Sequence, residues 1–312
     1  MIIALILFAA DVVRVIVVQL VHGSSSEPSG ITGGIPVKGE DVRWLAYIRD
    51  FRGHSVGGCA GTVITPRLIL TAGHCAVSLE TGRVRAASGY RVLTGEADVS
   101  ADRRQVSSVS RVIVYPGYAP DKFHGDGGDA ALLVLKTPTS APAVSLATSA
   151  HSLTGRRALL VGWSRTFFQP PAFLEERYTS PEKVGAPQVL QSQETCKAHI
   201  EYYDSRSELC SVVPPSYTVR VCRGASGSPL VLASPAGTGT VEIGVAIQDL
   251  TGCGIHSPTF YTSVEAIRPW ILEQEKALQR RNTRLAEFEV VSTASAMPWL
   301  GLDGCGQLDA LL

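Results

Sequence analysis

The sequence predicts an all-β fold of packed barrels with a single helix at its C-terminal end. Two observations carry the β assignment. Only 18% of the residues are charged while 30 are Gly and 18 are Pro, which suits short strands joined by tight turns better than helices. Strand-like apolar runs also recur between turn signals along most of the chain, a spacing that implies barrels. The helix rests on Val264, Ile267, Ile271 and Leu278, which share one face at helical spacing, with Pro269 read as tolerable in a first turn.

A chain of 312 residues has room for one all-β unit of about 200 to 250 residues plus terminal extensions, and it can bury a sizeable core. Lys plus Arg equals Asp plus Glu at 28 each, so no global field draws the protein to nucleic acid or to an anionic membrane. Recognition of a partner must therefore come from a local site. There is no internal repeat, phosphate-cradling glycine loop or zinc spacing, and the only asparagine, Asn282, is outside a glycosylation sequon.

From the N-terminus, Met1 to Ala10 carry no charged or polar side chain, and Val12 to Val21 is apolar except for Arg14 and Gln19. In a spanning helix, Asp11 and Arg14 would sit near the bilayer centre at about 2.5–3.5 kcal/mol each. A cleaved secretory signal over residues 1–21 is expected, with an uncleaved anchor as the alternative. Gly23 to Gly30 reads as a polar, flexible linker. Strands are then expected at Trp44 to Ile48, Gly61 to Ile69, Tyr90 to Thr94, Arg111 to Tyr115, Ala130 to Leu135, Arg157 to Trp163, Pro229 to Leu232, Val241 to Ile247 and Thr259 to Thr262. The helix follows, and Arg284 to Leu312 remains as a tail.

Three short motifs carry chemistry: Thr71-Ala72-Gly73-His74-Cys75, Gly128-Asp129-Ala130-Ala131-Leu132, and Cys222-Arg223-Gly224-Ala225-Ser226-Gly227-Ser228-Pro229-Leu230. A serine hydroxyl is a poor nucleophile at neutral pH until a base removes its proton as it attacks, and His74 is suited to that task for Ser226. Asp129 would accept from the other imidazole nitrogen, fixing the tautomer and stabilising the imidazolium. Glycines around Ser226 let a scissile carbonyl approach the backbone. The remaining histidines, His22, His54, His124, His151, His199 and His256, lack such company and read as surface residues.

The seven cysteines are Cys59, Cys75, Cys196, Cys210, Cys222, Cys253 and Cys305, and six of them allow fifteen pairings that spacing cannot choose between. No C-x-x-C pair is present, which argues against metal-binding thiols.

In these motifs, and in their chain order of His, Asp and Ser, the sequence resembles the chymotrypsin and trypsin family of serine proteases over roughly residues 31 to 280. The resemblance implies two packed six-stranded antiparallel β-barrels with His74, Asp129 and Ser226 in the cleft between them. It implies an oxyanion hole made by the backbone N–H groups of Gly224 and Ser226, and disulfides Cys59–Cys75, Cys196–Cys210 and Cys222–Cys253, with Cys305 left over. Ile31-Thr32-Gly33-Gly34 resembles the mature amino terminus of the family, which makes residues 22–30 a propeptide or linker, 31–283 the protease domain and 284–312 a tail.

Five departures stand out against that family pattern. Ala225 replaces the aspartate that pairs with the freed amino group of the mature terminus, so that ion pair cannot form, and the usual ordering of the site by cleavage is in question. Gly30, rather than a basic residue, precedes Ile31. Arg220 occupies the position that selects basic side chains in trypsin, which disfavours Lys and Arg substrates. Ile247-Gln248-Asp249 replaces the usual substrate-pairing stretch, and Thr259 stands where a pocket-wall glycine is common. An Arg220–Asp249 pair would plug the pocket or suit it to small side chains, whereas an unpaired Arg220 could receive an acidic one.

The resulting expectation is a secreted, monomeric serine endopeptidase acting on polypeptides without a cofactor or metal and subject to a protein inhibitor. No nucleic acid is expected as a partner, and a membrane only if residues 1–21 stay uncleaved. The alternative is a catalytically inactive homologue that binds or regulates another protein.

Overall fold

A computed structural model describes residues 29–50, 58–78, 80–95, 105–119, 128–148, 153–165, 182–233, 239–249 and 253–294. The signal or anchor segment, most of the linker, Cys305 and the end of the tail lie outside the described residues, as do His22, His54, His124 and His151. Two compact units are present, residues 1–268 and residues 269–312.

The described residues of the first unit begin with two short strands, β1 (Ser29–Thr32) and β2 (Ile35–Pro36). Six strands follow: β3 (Leu45–Asp50), β4 (Gly58–Thr65), β5 (Leu68–Thr71), β6 (Tyr90–Thr94), β7 (Gln105–Val114) and β8 (Ala131–Leu135). They close into a barrel in the order β3-β4-β5-β8-β7-β6, every pair antiparallel. Strand β6 alternates between buried and half-buried positions, as a barrel strand with one inward face should. Strand β8, Ala-Leu-Leu-Val-Leu, is buried at every position, the pattern of a strand covered on both faces.

The apolar run from Gly61 to Ile69 is two strands rather than one. Pro66 has no N–H to give to a ladder, so the chain turns there, and the Thr65 hydroxyl accepts from the N–H groups of Arg67 and Leu68 at 3.3 and 3.1 Å.

The second barrel is drawn from β10 (Arg157–Arg165), β11 (Glu182–Leu190), β12 (Glu208–Val212), β14 (Pro229–Ala233), β15 (Thr240–Asp249) and β16 (Thr259–Ser263). Its order is β10-β14-β15-β16-β12-β11, and pairing of β10 with β11 over eight registered positions from Arg157↔Val189 to Ser164↔Glu182 closes the ring. Two-residue strands β9 (Ser145–Leu146) and β13 (Arg220–Val221) attach to β15 and β1 respectively. The core of this barrel includes Leu160, Val184, Ala186, Leu190, Leu230, Ala246 and Tyr261. Strand β11 is not among the strands expected from the sequence, and Pro187 interrupts its apolar run. The structure accommodates that residue where β2 pairs at 184–185 and β12 at 189–190, leaving Pro187 opposite β10 alone.

Buried polar groups tie one barrel to the other. Lys183, 4% exposed, donates from Nζ to the carbonyls of Val42 and Gly95 at 3.2 and 2.9 Å and lies 5.5 Å from the Trp163 ring centre. Trp163 donates its indole N–H to the Ala46 carbonyl at 3.3 Å. Glu242 on β15 accepts at 3.3 Å from the Thr62 hydroxyl on β4, and both residues are wholly buried. Desolvation pushes the Glu242 carboxyl up to about 8, only partly countered by the bond from Thr62, so the group is held protonated.

Helix α1 (Gln193–Lys197), not anticipated from the sequence, is capped by Ser192, whose hydroxyl accepts from the Thr195 N–H. The expected terminal helix, α2, spans Val264–Ala294, so it runs past position 284, where the tail was expected to begin. Val264, Ile267 and Ile271 are buried and Leu278 is half-buried. Pro269 falls beyond the first turn, at the sixth helical residue. Among the described residues no helix is long and apolar enough to cross a membrane.

Candidate active site

His74 follows β5 on a single 3-10 turn, Gly73–Cys75. Gly73 is required by the crowding there: a Cβ would lie 2.9 Å from the Tyr118 ring and 3.0 Å from Asp129 Oδ1. Gly128 is similarly confined, since a Cβ would collide with the Tyr115 ring. These two glycines allow the loop before β8 to press against the histidine turn. Asp129 then takes two bonds from His74: Oδ1 accepts from the backbone N–H at 2.8 Å, and Oδ2 pairs with ring Nδ1 at 2.8 Å. Behind it, the Thr262 hydroxyl of β16 donates to the Asp129 carbonyl at 3.0 Å, so the second barrel braces a loop of the first.

Electrostatics follow from this arrangement. Burial acts to lower the His74 pKa, but the charge of Asp129 and its hydrogen bond outweigh burial and leave it above the ordinary imidazole value. Tyr118 is held protonated well above the usual phenol range, first by burial and then by the neighbouring Asp129 charge. Nothing in its sequence context had marked Tyr118, whose ring crowds Gly73 together with Asp129 Oδ1.

Among the described residues three disulfides are present, Cys59–Cys75, Cys196–Cys210 and Cys222–Cys253, the same pairs that the family resemblance implies. The sulfurs of Cys59 and Cys75 and a ring nitrogen of His74 lie within 4.8 Å of one another. Because those sulfurs are bonded to each other, they offer no thiolate to a metal.

Ser226 sits in a compact turn in which Ala225 N–H donates to the Cys222 carbonyl at 3.1 Å and Ser228 N–H to the Ala225 carbonyl at 3.0 Å. Gly224 and Gly227 have φ of +90° and +78°, values that favour glycine. The turn is held against the first barrel, where Ala60 N–H donates to the Ser226 carbonyl at 2.8 Å and the Thr71 hydroxyl to the Ala60 carbonyl at 2.7 Å. Ser226 is therefore joined to the neighbour of Cys59, and the disulfide partner of Cys59 adjoins His74. Among the described residues, the N–H groups of Gly224 and Ser226 have no acceptor, which leaves both available to an outside oxygen.

The residues expected to shape specificity are dispersed more widely. Arg220 is half-buried on β13, registered with Thr32, and forms no ion pair among the described residues. Ile247 is buried on β15. Gln248 and Asp249 continue that strand, but their side chains, and with them the expected Arg220–Asp249 pair, lie outside the described residues. Thr259 is buried, registered with Asp249 and Ser211, and its hydroxyl has no hydrogen-bond partner among the described residues. His199 is exposed; so is His256, whose Nδ1 lies 3.1 Å from the Val213 carbonyl.

The sequence model of the family described as Trypsin matches residues 31–271. Similar proteins include a trypsin of Saccharopolyspora erythraea, 28% identical over 176 residues, which are 56% of this chain and 70% of that one. Serine protease 28 of Mus musculus is 26% identical over 269 residues, 80% of this chain and 90% of its own. Serine protease filzig of Drosophila melanogaster is 29% identical over 230 residues, 68% of this chain but 12% of its own length.

Proposed function

The chain belongs to the trypsin family of serine proteases, and on that footing we propose that it is a secreted endopeptidase that cleaves polypeptides through Ser226, His74 and Asp129. The observation that carries this reading is the double engagement of His74 by Asp129, which fixes the ring with Nδ1 occupied and Nε2 free to act as base. In the proposed reaction Ser226 Oγ attacks the scissile carbonyl carbon as its proton passes to His74 Nε2. The developing oxyanion accepts from the N–H groups of Gly224 and Ser226. The C–N bond then breaks, with the His74 proton going to the leaving amine. Water attacks the acyl-enzyme, gives a proton to His74, and releases the carboxylic acid as Ser226 Oγ regains a proton.

The three disulfides among the described residues support an oxidising destination for the protein. Arg220, where the family's basic-selecting carboxylate stands, supports a preference other than Lys or Arg at the residue before the cut bond. Labelling with a fluorophosphonate tests the reading: wild type is expected to be modified at Ser226, and Ser226→Ala to lose both label and peptide hydrolysis while keeping its thermal unfolding midpoint. Unchanged hydrolysis in Ser226→Ala would exclude the nucleophile.

A second reading, an inactive homologue that binds a partner, is favoured by Ala225, which removes the carboxylate that orders the site in the family. An unlabelled but folded wild type would support it.

A further inference from the structure

Ser29 and Gly30, the last residues of the expected propeptide or linker, are part of a strand. Strand β1 runs through Gly30 and Ile31 without a break, paired to β10 at Ser29↔Arg165 and Gly30↔Ser164 and to β13 at Ile31↔Val221 and Thr32↔Arg220. Gly30, at φ +73°, donates its N–H to the Arg223 carbonyl at 2.6 Å and accepts from the Cys222 N–H at 2.8 Å. Both bonds fall on the residues that lead into Gly224. The two glycines also lie side by side: apart from the chain neighbours of Gly224, the nearest atom to a Cβ added there would be Gly30 N, at an ordinary contact distance of 3.5 Å.

Ile31 completes the arrangement from below. Its side chain is fully buried in an apolar cluster with Ala225, Val221, Leu160 and Val184. Two glycines make its seat: a Cβ on Gly34 would lie 2.9 Å from Ile31 Cγ2, and one on Gly162 would lie 2.9 Å from Ile31 Cδ1. Cutting the 30–31 bond would create an ammonium at this apolar position, where Ala225 offers no carboxylate to receive it. The same cut would free Gly30 from the chain that anchors it, although Gly30 provides the clamp on Cys222 and Arg223.

We propose that Gly30 and Ile31, within an uncut strand, are positioning residues that hold the Cys222–Ser226 turn with its N–H groups outward, so that the site is assembled without cleavage after Gly30. This rests on the reading of Ser226 as nucleophile and of Gly224 and Ser226 as oxyanion donors. Ala225 is then the counterpart of an intact strand: an apolar residue under the turn suits an apolar side chain arriving on a continuous peptide, as an aspartate suits a charged terminus.

The test uses the full chain, wild type and Gly30→Pro. Proline removes the N–H that reaches Arg223 and cannot adopt φ near +73°. Wild type is treated with a fluorophosphonate and digested, and the labelled molecules are mapped across residues 29–32. The expected result is label on Ser226 in chains whose 30–31 bond is intact, with labelling at least tenfold slower in Gly30→Pro. Hydrogen exchange is followed in parallel, with faster exchange expected at residues 222–226 of the variant and unchanged protection in β5 and β8. Label confined to chains that begin at Ile31, or a wild-type labelling rate in Gly30→Pro, overturns the proposal. If wild type takes no label, the hydrolase reading fails, and exchange alone judges the strand: equal protection of residues 222–226 in the two proteins overturns its role, and faster exchange in the variant upholds it.

Discussion

The hydroxyl of Thr262, on the last strand of the second barrel, donates to the backbone carbonyl of Asp129 at 3.0 Å, on the loop that feeds the first. The carboxylate that orients His74 is thereby set by both barrels, and its charge has consequences that can be measured.

Asp129→Asn is expected to lower the maximal rate by about 10³–10⁴-fold, because the amide no longer stabilises the imidazolium or enforces its tautomer. In the proposed reaction His74 must be neutral to accept the serine proton, and Asp129 raises its pKa above 6.5, so wild-type activity is expected to fall on the acid side of a limb above that value. With the anion gone that limb moves to lower pH. Rates of hydrolysis of a small ester from pH 5 to 9 check both effects.

Glu242→Gln is expected to stabilise the protein at alkaline pH. The folded state holds the proton of Glu242 up to about 8, whereas the unfolded chain releases it near 4.5. The penalty is therefore absent below the unfolded value, grows as pH rises and is complete above the folded value. At about 1.4 kcal/mol per pH unit, it reaches a few kcal/mol. Urea unfolding at pH 4 and pH 8.5 is expected to show the two proteins alike at the first and the variant more stable at the second.

Gly227→Ala is expected to destabilise by about 2–4 kcal/mol and to abolish fluorophosphonate labelling. The position has φ +78°, and a Cβ would collide with the Ala60 carbonyl and the Thr71 hydroxyl, breaking the contact that holds Ser226 against the first barrel. Urea unfolding and the labelling rate measure the two effects separately.

Replacing Cys59 and Cys75 together by serine is expected to cost about 2–4 kcal/mol in unfolding free energy. Because this disulfide flanks the His74 ring, labelling is also expected to slow in molecules that remain folded, whereas loss of Cys196–Cys210 affects stability alone. Labelling rates at a temperature well below both unfolding midpoints distinguish the cases.

The candidate site was legible in the sequence because close backbone approach leaves local marks. Gly73 beside His74, Gly128 beside Asp129 and Gly224 and Gly227 around Ser226 each stand where a side chain would meet a neighbour or a left-handed backbone is needed. Strands with continuous apolar runs, such as β8, were legible for the same reason of locality. What escaped depended on partners far along the chain. Lys183 reads as a surface cation until Val42 and Gly95 are brought to it, and Glu242 as a surface acid until Thr62 arrives from 180 residues away. Pro187 concealed β11, since only the staggered pairing of β2 and β12 shows why its missing N–H does no harm. Strand β1 went unread because its residues resemble a terminus that is cut, while their pairing partners, Val221 and Ser164, lie more than a hundred residues away.

The sealed carboxyl between the barrels also alters how the protein migrates in an electric field. The 28 basic and 28 acidic side chains balance only if every acid is ionised, and at pH 7 the native protein withholds Glu242 from that count. Unfolding releases its proton, so the denatured chain is the more anionic of the two. Focused across a transverse urea gradient, the native band is expected to settle on the alkaline side of the denatured one.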